Sequence, residues 1–256
     1  MPVSTSDNVY WDRYTHAMLL SIYFKRVPLS LSNWNAYKGI SNTLGRRLGL
    51  QKDFSESDAL EYFILHQINN DFNIPNDLDI IALRVTNSIS PNFLTDDSKK
   101  SNLLTTKQNS YLLNNLKIVM RVRSHGTQKV WGDNDIIVCL KQQNQIHNYC
   151  IISCKTSLRE RVYQSIFWAT HSRLEGVGKH VFLTLDKGRS GSASSEIGNR
   201  DQNSGDASKP RNALESTMDR VYVFRNSNEV NRSKVIKDVG YLEKDLIRWG
   251  YDFLGK

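Results

Sequence analysis

Two short stretches decide how this chain folds: Trp131-Gly-Asp-Asn-Asp-Ile-Ile-Val138 and Ile151-Ile-Ser-Cys-Lys155. Each contains the β-branched and apolar side chains that are typical of a buried strand. A polar segment at residues 142–145 separates the two predicted strands and indicates the loop of a hairpin. In an antiparallel pair the start of one strand lies beside the end of its neighbour. We therefore expect Asp135 and Lys155 to meet at one edge of a sheet.

A carboxylate beside a lysine at such an edge is suited to the hydrolysis of a phosphodiester. Asp135, together with Asp133, can hold a divalent cation such as Mg²⁺. The cation lowers the pKa of a bound water and neutralises phosphate charge, while Lys155 positions the attacking water. The segment from Gly132 to Asp135 also has the composition of an ordinary turn. The downstream lysine is what favours catalysis over a turn without function.

The segments that follow the hairpin predict the rest of a mixed sheet. Apolar runs predict further strands, and amphipathic periods predict helices on either side of them. The predicted strands cover residues 129–131, 180–185 and 220–225, and the predicted helices cover residues 109–121, 157–173 and 241–253. This order of elements predicts an α/β (α+β) fold, with a mixed sheet flanked by helices.

The first hundred residues predict a mainly helical region. Helical periods occur at residues 11–25, 31–48 and 57–72, whereas residues 79–86 are compatible with either a strand or a helix. Residues 88–107 are polar and contain Pro91, which indicates a linker. The sequence thus predicts a helical N-terminal region at residues 1–100 and a catalytic domain at residues 101–256.

The overall composition narrows the class of protein. The chain has 256 residues, of which 39% are hydrophobic and 23% charged, which excludes a disordered chain. No apolar run is long enough to span a membrane, and the N-terminus lacks the pattern of a signal peptide. Three cysteines without metal-ligand spacing indicate a reducing, cytoplasmic location. The net charge of +8 favours nucleic acid only weakly.

The hairpin residues resemble a known nuclease superfamily. Asp135 followed by three apolar residues, and Ser153-x-Lys155 at the end of the next strand, are similar to the PD-(D/E)XK motif. Asn134 replaces the usual proline, and Ser153 replaces the usual acid of the second motif. The resemblance covers about residues 109–253, although its motifs span only some thirty residues. It implies a restriction-endonuclease-like catalytic domain in which Ser153 belongs to the active site.

The residues after Lys155 resemble one branch of that superfamily. The segment Arg159-Glu-Arg161 is similar to type II restriction endonucleases that read CCGG or CC(N)GG cores, such as the NgoMIV, EcoRII and BsaWI types. The resemblance implies Mg²⁺-dependent cleavage of double-stranded DNA. A palindromic site cut on both strands also implies a homodimer.

The same segment supplies candidate residues for reading DNA bases. Arg159 and Arg161 would donate to guanine N7 and O6, and Glu160 would accept from cytosine amines. Gln164, one helical turn further on, could contact adenine or be solvated. Glu160 could instead cap the helix by bonding to the amide of Ser157. Two arginines at a helix start oppose the helix dipole, which favours an anionic partner such as DNA.

One part of the family pattern is missing. Related enzymes place a second metal-binding glutamate on the helix after the lysine, where this chain has Trp168 and Ala169. Some superfamily members take this carboxylate from a helix that precedes the sheet. Glu61 is then the candidate, with Glu56 and Glu175 as alternatives. Without any second acid, the enzyme would use Asp133 or would have lost activity.

Two other functions remain open from the sequence alone. A structure-selective or repair nuclease would use the same catalytic residues but clamp the DNA backbone with the Arg-Glu-Arg segment. A non-catalytic DNA-binding regulator would bind a site and leave it intact in Mg²⁺. Loss of cleavage on replacement of Asp135 separates both nucleases from the regulator. Cleavage at one defined site separates a restriction enzyme from a structure-selective nuclease.

Overall fold

The structure is a computed structural model. It describes residues 19–20, 22–47, 56–85, 104–132, 134–142, 145–158, 161–174, 178–186, 197, 208–225 and 233–256.

The described residues form helices and strands that alternate along most of the chain. The helices are α1 (Leu31–Arg47), α2 (Glu56–His66), α3 (Thr106–Asn115), α4 (Arg161–Leu174), α5 (Lys209–Thr217) and α6 (Leu242–Leu254). The strands are β1 (Asp79–Arg84), β2 (Lys117–Val122), β3 (Gly126–Trp131), β4 (Ile136–Gln142), β5 (Gln145–Lys155), β6 (Lys179–Thr184), β7 (Arg220–Val223) and β8 (Ile236–Asp238). A π-helical turn (Gln67–Asp71) extends α2, and a 3₁₀ turn (Val239–Tyr241) precedes α6.

Six strands form one mixed sheet in the order β1-β4-β5-β6-β7-β8. The β1–β4 and β4–β5 pairs are antiparallel, whereas β5, β6, β7 and β8 run parallel to one another. The predicted hairpin is confirmed, because Ile136 of β4 lies opposite Ile152 of β5. The mixed α/β fold class is also confirmed.

Alternate residues of the strands pack against helices on opposite faces of this sheet. On one face, Ile136 and Val138 of β4 join a core that includes Leu60 of α2 and Leu246 of α6. On the other face, Ile137 joins the smaller core that contains Leu112 of α3. A third core links α4 and α5 to the outer strands. Since successive side chains of a strand point to opposite faces, each strand supplies residues to both layers.

The region preceding the hairpin differs in part from its prediction. The helix predicted at residues 109–121 ends at Asn115, and Lys117–Val122 is a strand that pairs antiparallel with Gly126–Trp131. The prediction of a helix was therefore wrong for the residues after Asn115. The reason is that Ile118, Val119 and Val122 are β-branched and favour a strand, and β3 offers them a partner.

Three further observations complete the fold. Residues 79–84, compatible with a strand or a helix from the sequence, form edge strand β1 of the main sheet. Helix α5 and strand β8 were not predicted. Both are short, and α5 follows a polar segment whose composition indicates a loop.

The proposed division of the chain at residue 100 stays a prediction. Residues 86–103, which include most of the predicted linker, lie outside the described residues. Helix α2 and strand β1 nevertheless contribute Leu60, Phe63 and Ile80 to the same core as Ile136. The helix predicted at residues 11–25 lies mostly outside the described residues as well. Within the described part of the chain, no helix has the length and apolar character that a membrane span requires.

Candidate active site

The end of the hairpin brings Asp135 and Lys155 into direct contact. Asp135 immediately precedes β4, and Lys155 is the last residue of β5. Lys155 Nζ donates to Asp135 Oδ2 at 2.9 Å, and the backbone amide of Cys154 donates to the same oxygen at 2.7 Å. A further backbone bond runs from the amide of Val85 to the carbonyl oxygen of Asp135 at 2.9 Å. The two bonds to the carboxylate oxygen come from β5, and the Val85 amide holds the backbone of Asp135.

This ion pair is largely shielded from solvent. The side chain of Lys155 is 7% exposed and that of Asp135 is 17% exposed. Ser153 precedes Lys155 by two residues on β5 and is fully buried. Lys155 lies level with Thr184 of the parallel strand β6. Electrostatic interactions between this charged pair and a bound group are stronger in such a shielded position than they would be in water.

Glu61 of α2 supplies a second buried carboxylate at this edge of the sheet. The pKa of Glu61 is raised to about 7, mainly by burial and also by the negative charge of Asp135, while Arg84 opposes both effects. The two carboxylates also act together on the thiol of Cys154, whose pKa is raised mainly by burial and then by Asp135 and Glu61. Glu61 and Asp135 thus lie within electrostatic range of each other, and Lys155 contacts Asp135.

Arg84, the last residue of β1, binds the face of α2 that carries Glu61. Its Nε donates to Glu61 Oε2 at 2.5 Å, and its Nη1 donates to the hydroxyl of Tyr62 at 3.0 Å. Its Nη2 also donates to Asp58. The three partners occupy helix positions i, i+3 and i+4, which lie on one face of a helix. The sequence analysis missed this cluster, although a single arginine in the apolar run Asp-Ile-Ile-Ala-Leu-Arg is a signal for a buried partner.

The predicted DNA-binding residues lie at the start of helix α4. Arg161 is the first residue of α4, and both Arg161 and Gln164 are exposed to solvent. Leu158 and Val162 are fully buried and anchor this end of the helix, with the amide of Val162 bonded to the carbonyl of Leu158 at 3.1 Å. The first turn of α4 therefore follows Lys155 closely and presents its polar face to solvent.

Three predicted site residues lie outside the described residues: Asp133, Arg159 and Glu160. Of the alternatives to Glu61, Glu175 also lies outside them. Glu56 is described, and its carboxylate accepts a hydrogen bond from Lys38 Nζ at 2.7 Å.

A family comparison identifies the enzyme class. The family model described as BsaWI restriction endonuclease type 2 matches residues 112–245, which is just over half of the chain. The chain belongs to the BsaWI family of type II restriction endonucleases. This endonuclease is therefore a DNA-binding, site-specific deoxyribonuclease, and the repair-nuclease and non-catalytic alternatives are set aside.

Two other comparisons accompany the family match. The solved structure described as "Crystal structure of pre-specific restriction endonuclease BsaWI-DNA complex" is 13% identical in sequence, with a TM-score of 0.42. The match covers 85% of this chain and 69% of that one. No curated protein matches the chain.

The donor set of the endonuclease fits a hard divalent cation. Mg²⁺ is usually bound by one or two carboxylates, with water and substrate phosphate oxygens as its other ligands. Glu61 and Asp135 supply two carboxylates at the same edge of the sheet. No group of three or more His, Cys, Asp or Glu side chains suited to a metal occurs among the described residues. The described residues would thus contribute two carboxylates to such a site, with phosphate and water among the other ligands.

Proposed function

We propose that this endonuclease cleaves double-stranded DNA with Mg²⁺, using Asp135, Glu61 and Lys155 as its catalytic residues. The observation that carries the proposal is the convergence of the buried Glu61 carboxylate and the partly buried Asp135 carboxylate at one edge of the sheet, with the buried Lys155 bonded to Asp135. Structural carboxylates normally find enough donors to offset their burial. Glu61 and Asp135 instead repel each other, and a divalent cation bound between them would relieve that repulsion.

Asp135 and Glu61 would hold the cation, with Asp133 as a further candidate ligand. When bound, Mg²⁺ lowers the pKa of a coordinated water and offsets charge on the scissile phosphate. Lys155 Nζ, which is held by Asp135, would orient the attacking water and donate to the phosphate as negative charge develops. Ser153 lies in the same strand and, being buried, would support the position of Lys155.

The first turn of α4 would read the bases of the site. We propose that Arg159 and Arg161 donate to guanines and that Glu160 accepts from cytosine amines, with Gln164 as a candidate adenine contact. This arrangement fits a recognition site with a CCGG or CC(N)GG core. The exposed position of Arg161 next to the catalytic edge supports the proposal.

The assembly and location that suit this activity are also proposals. A palindromic site cut on both strands calls for two active sites related by a two-fold axis, and hence a homodimer. We place the enzyme in the cytoplasm, where its DNA substrate lies. The free, buried thiols of Cys139, Cys150 and Cys154 are compatible with that reducing compartment. Helix α2 and strand β1 would belong to the catalytic unit, because they supply Glu61 and Arg84.

Digestion of DNA of known sequence tests the activity and the site together. The purified enzyme should give discrete fragments in Mg²⁺ and none in EDTA, and sequencing of the fragment ends should reveal one recognition sequence. Lys155→Ala should bind the same site without cutting it. Lys179→Ala is the matched control, because Lys179 begins β6 at the opposite end of the sheet. Normal cutting by Lys155→Ala would disprove the catalytic assignment.

A second experiment tests base reading. Arg161→Ala should lose about 1–3 kcal/mol of discrimination at one guanine, and much less affinity for nonspecific DNA. Arg173→Ala, at the other end of the same helix, should leave discrimination unchanged. An equal loss of affinity for every sequence would instead identify Arg161 as a phosphate contact.

A further inference from the structure

The end of strand β1 and the residue after it contact both acidic residues of the candidate active site. The side chain of Arg84 binds Glu61, and the backbone amide of the next residue, Val85, binds the carbonyl oxygen of Asp135. Arg84 itself lies directly opposite Ile136, the residue that follows Asp135. Arg84, at the end of β1, therefore holds the Glu61 carboxylate, and the next residue, Val85, holds the backbone at Asp135.

The guanidinium of Arg84 is itself held in one orientation. Its three nitrogens donate to Glu61, Tyr62 and Asp58, and its Cζ lies 4.8 Å from the centroid of the Tyr62 ring. A guanidinium presents its donors in a fixed plane, so these contacts define the direction from which Glu61 is approached. The side chain of Arg84 is 19% exposed, which limits its freedom further.

The contact engages only one oxygen of the glutamate. Arg84 donates to Oε2, and Oε1 of Glu61 accepts no hydrogen bond from the residues that the structure describes. Oε1 is not one of the fully buried, unpaired side-chain atoms of the described residues, so it remains accessible to solvent. A contact that fixes one oxygen and leaves the other available is what a metal ligand needs.

We propose that Arg84 is a positioning residue for the metal site, holding Glu61 by Oε2 so that Oε1 remains available to the cation that Asp135 also binds. The inference rests on the proposed role of Glu61 as a metal ligand. Arg84 does not touch the reacting atoms and acts only through Glu61. Partners that orient metal ligands in this way commonly contribute 10-fold to about 100-fold to metal affinity.

Metal dependence distinguishes this role from a purely structural one. Arg84→Gln should raise the Mg²⁺ concentration needed for half-maximal single-turnover cleavage by about 10-fold or more. Binding of Ca²⁺ to the enzyme–DNA complex, measured by calorimetry, should weaken by a similar factor and provides a readout independent of cleavage. Arg84→Lys should recover part of the loss, since it restores the charge without the planar fork.

A double-mutant cycle tests whether Arg84 acts through Glu61. Adding Arg84→Gln to Glu61→Gln should change the Mg²⁺ requirement by less than about 2-fold, because the residue that Arg84 positions is already altered. Arg248→Gln is the matched control. It removes an arginine bonded to a buried carboxylate, Asp245, at 2.8 Å on helix α6, and should leave the Mg²⁺ requirement unchanged.

The outcomes separate the inference from the proposed function. If Glu61→Gln impairs metal binding but Arg84→Gln does not, the positioning role is wrong and the metal-ligand role of Glu61 stands. Fully multiplicative losses in the double mutant would also overturn the inference. If Glu61→Gln cleaves DNA and binds Ca²⁺ like the wild type, the assignment of Glu61 fails, and the role of Arg84 fails with it. If Arg84→Gln does not fold, an unchanged Mg²⁺ requirement in Arg84→Lys overturns the role.

Discussion

Two buried carboxylates, Glu61 and Asp245, have similar exposure but different surroundings. Glu61 is 8% exposed and Asp245 is 6% exposed. Asp245 Oδ2 accepts from Arg220 Nε at 2.9 Å and from the hydroxyl of Tyr222 at 2.7 Å, and its Oδ1 accepts from Arg248 at 2.8 Å. Both of its oxygens are therefore paired.

Glu61 lacks this degree of pairing. Arg84 donates to one of its oxygens, and the other charge that most affects its pKa, that of Asp135, is negative. The comparison indicates that burial alone does not identify a functional carboxylate. What distinguishes the candidate metal ligand is a buried charge that is incompletely paired and lies beside a second carboxylate.

The largest expected loss of cleavage follows from replacing Asp135 at the catalytic edge of the sheet. Asp135→Asn should reduce single-turnover cleavage by about 10³-fold or more, because it removes a proposed metal ligand and the ionic partner of Lys155. Specific DNA binding in Ca²⁺-free buffer should be retained. Rate measurements with excess enzyme, paired with a gel-shift assay, would detect both effects. Cleavage within 10-fold of the wild-type rate would contradict the role of Asp135.

Replacing each carboxylate of the comparison by its amide should give opposite results. Glu61→Gln should lower cleavage by about 10²-fold without lowering the unfolding free energy of the metal-free protein at neutral pH, because burial disfavours the charged form of Glu61. Asp245→Asn should lower that unfolding free energy by about 2–4 kcal/mol, because it leaves two arginines without their anion. The folded Asp245→Asn enzyme should cleave normally. Urea denaturation and cleavage rates together test this difference between the two variants. A loss of stability without a loss of cleavage in both variants would contradict it.

The pH dependence of the unfolding free energy should reveal the raised pKa of Glu61. Its folded pKa of about 7 lies above the usual value of 4.5, so the folded protein holds this proton more tightly than the unfolded chain does. The resulting stabilisation is complete below pH 4.5 and is lost as pH rises through 7. The metal-free wild type should therefore lose up to about 3 kcal/mol relative to Glu61→Gln over this range. Equal pH profiles for the two proteins in urea denaturation would contradict the raised pKa.

The smallest expected effect concerns Tyr222, which donates a hydrogen bond to Asp245, the structural carboxylate of the comparison. Burial and the charge of Asp245 raise the pKa of Tyr222, so its hydroxyl stays protonated and donates to Asp245. Tyr222→Phe should lower the unfolding free energy by about 1 kcal/mol, since Arg220 and Arg248 still pair with the carboxylate. Cleavage and the Mg²⁺ requirement should not change. A Mg²⁺ requirement altered by Tyr222→Phe would show that the two clusters are coupled.

Local patterns were enough to predict much of the fold. Helix α1, the main part of α2, the β4–β5 hairpin, strands β6 and β7 and helix α6 were all predicted from periodicity and chain breaks. The prediction was wrong at residues 117–122, where a short apolar segment is compatible with either period and the pairing of β2 with β3 decides the outcome.

The sequence by itself determined the contact between Asp135 and Lys155. The two residues lie at adjacent ends of neighbouring strands, and a short hairpin leaves little freedom in their register. The resemblance to a nuclease superfamily suggested a carboxylate from an earlier helix, but it did not indicate how Glu61 would be held. The tertiary structure alone decided that Arg84 holds Glu61 and that Val85, just after β1, binds the backbone of Asp135. Those contacts depend on how α2 packs on the sheet and on which strand borders β4, and neither is encoded by a local period.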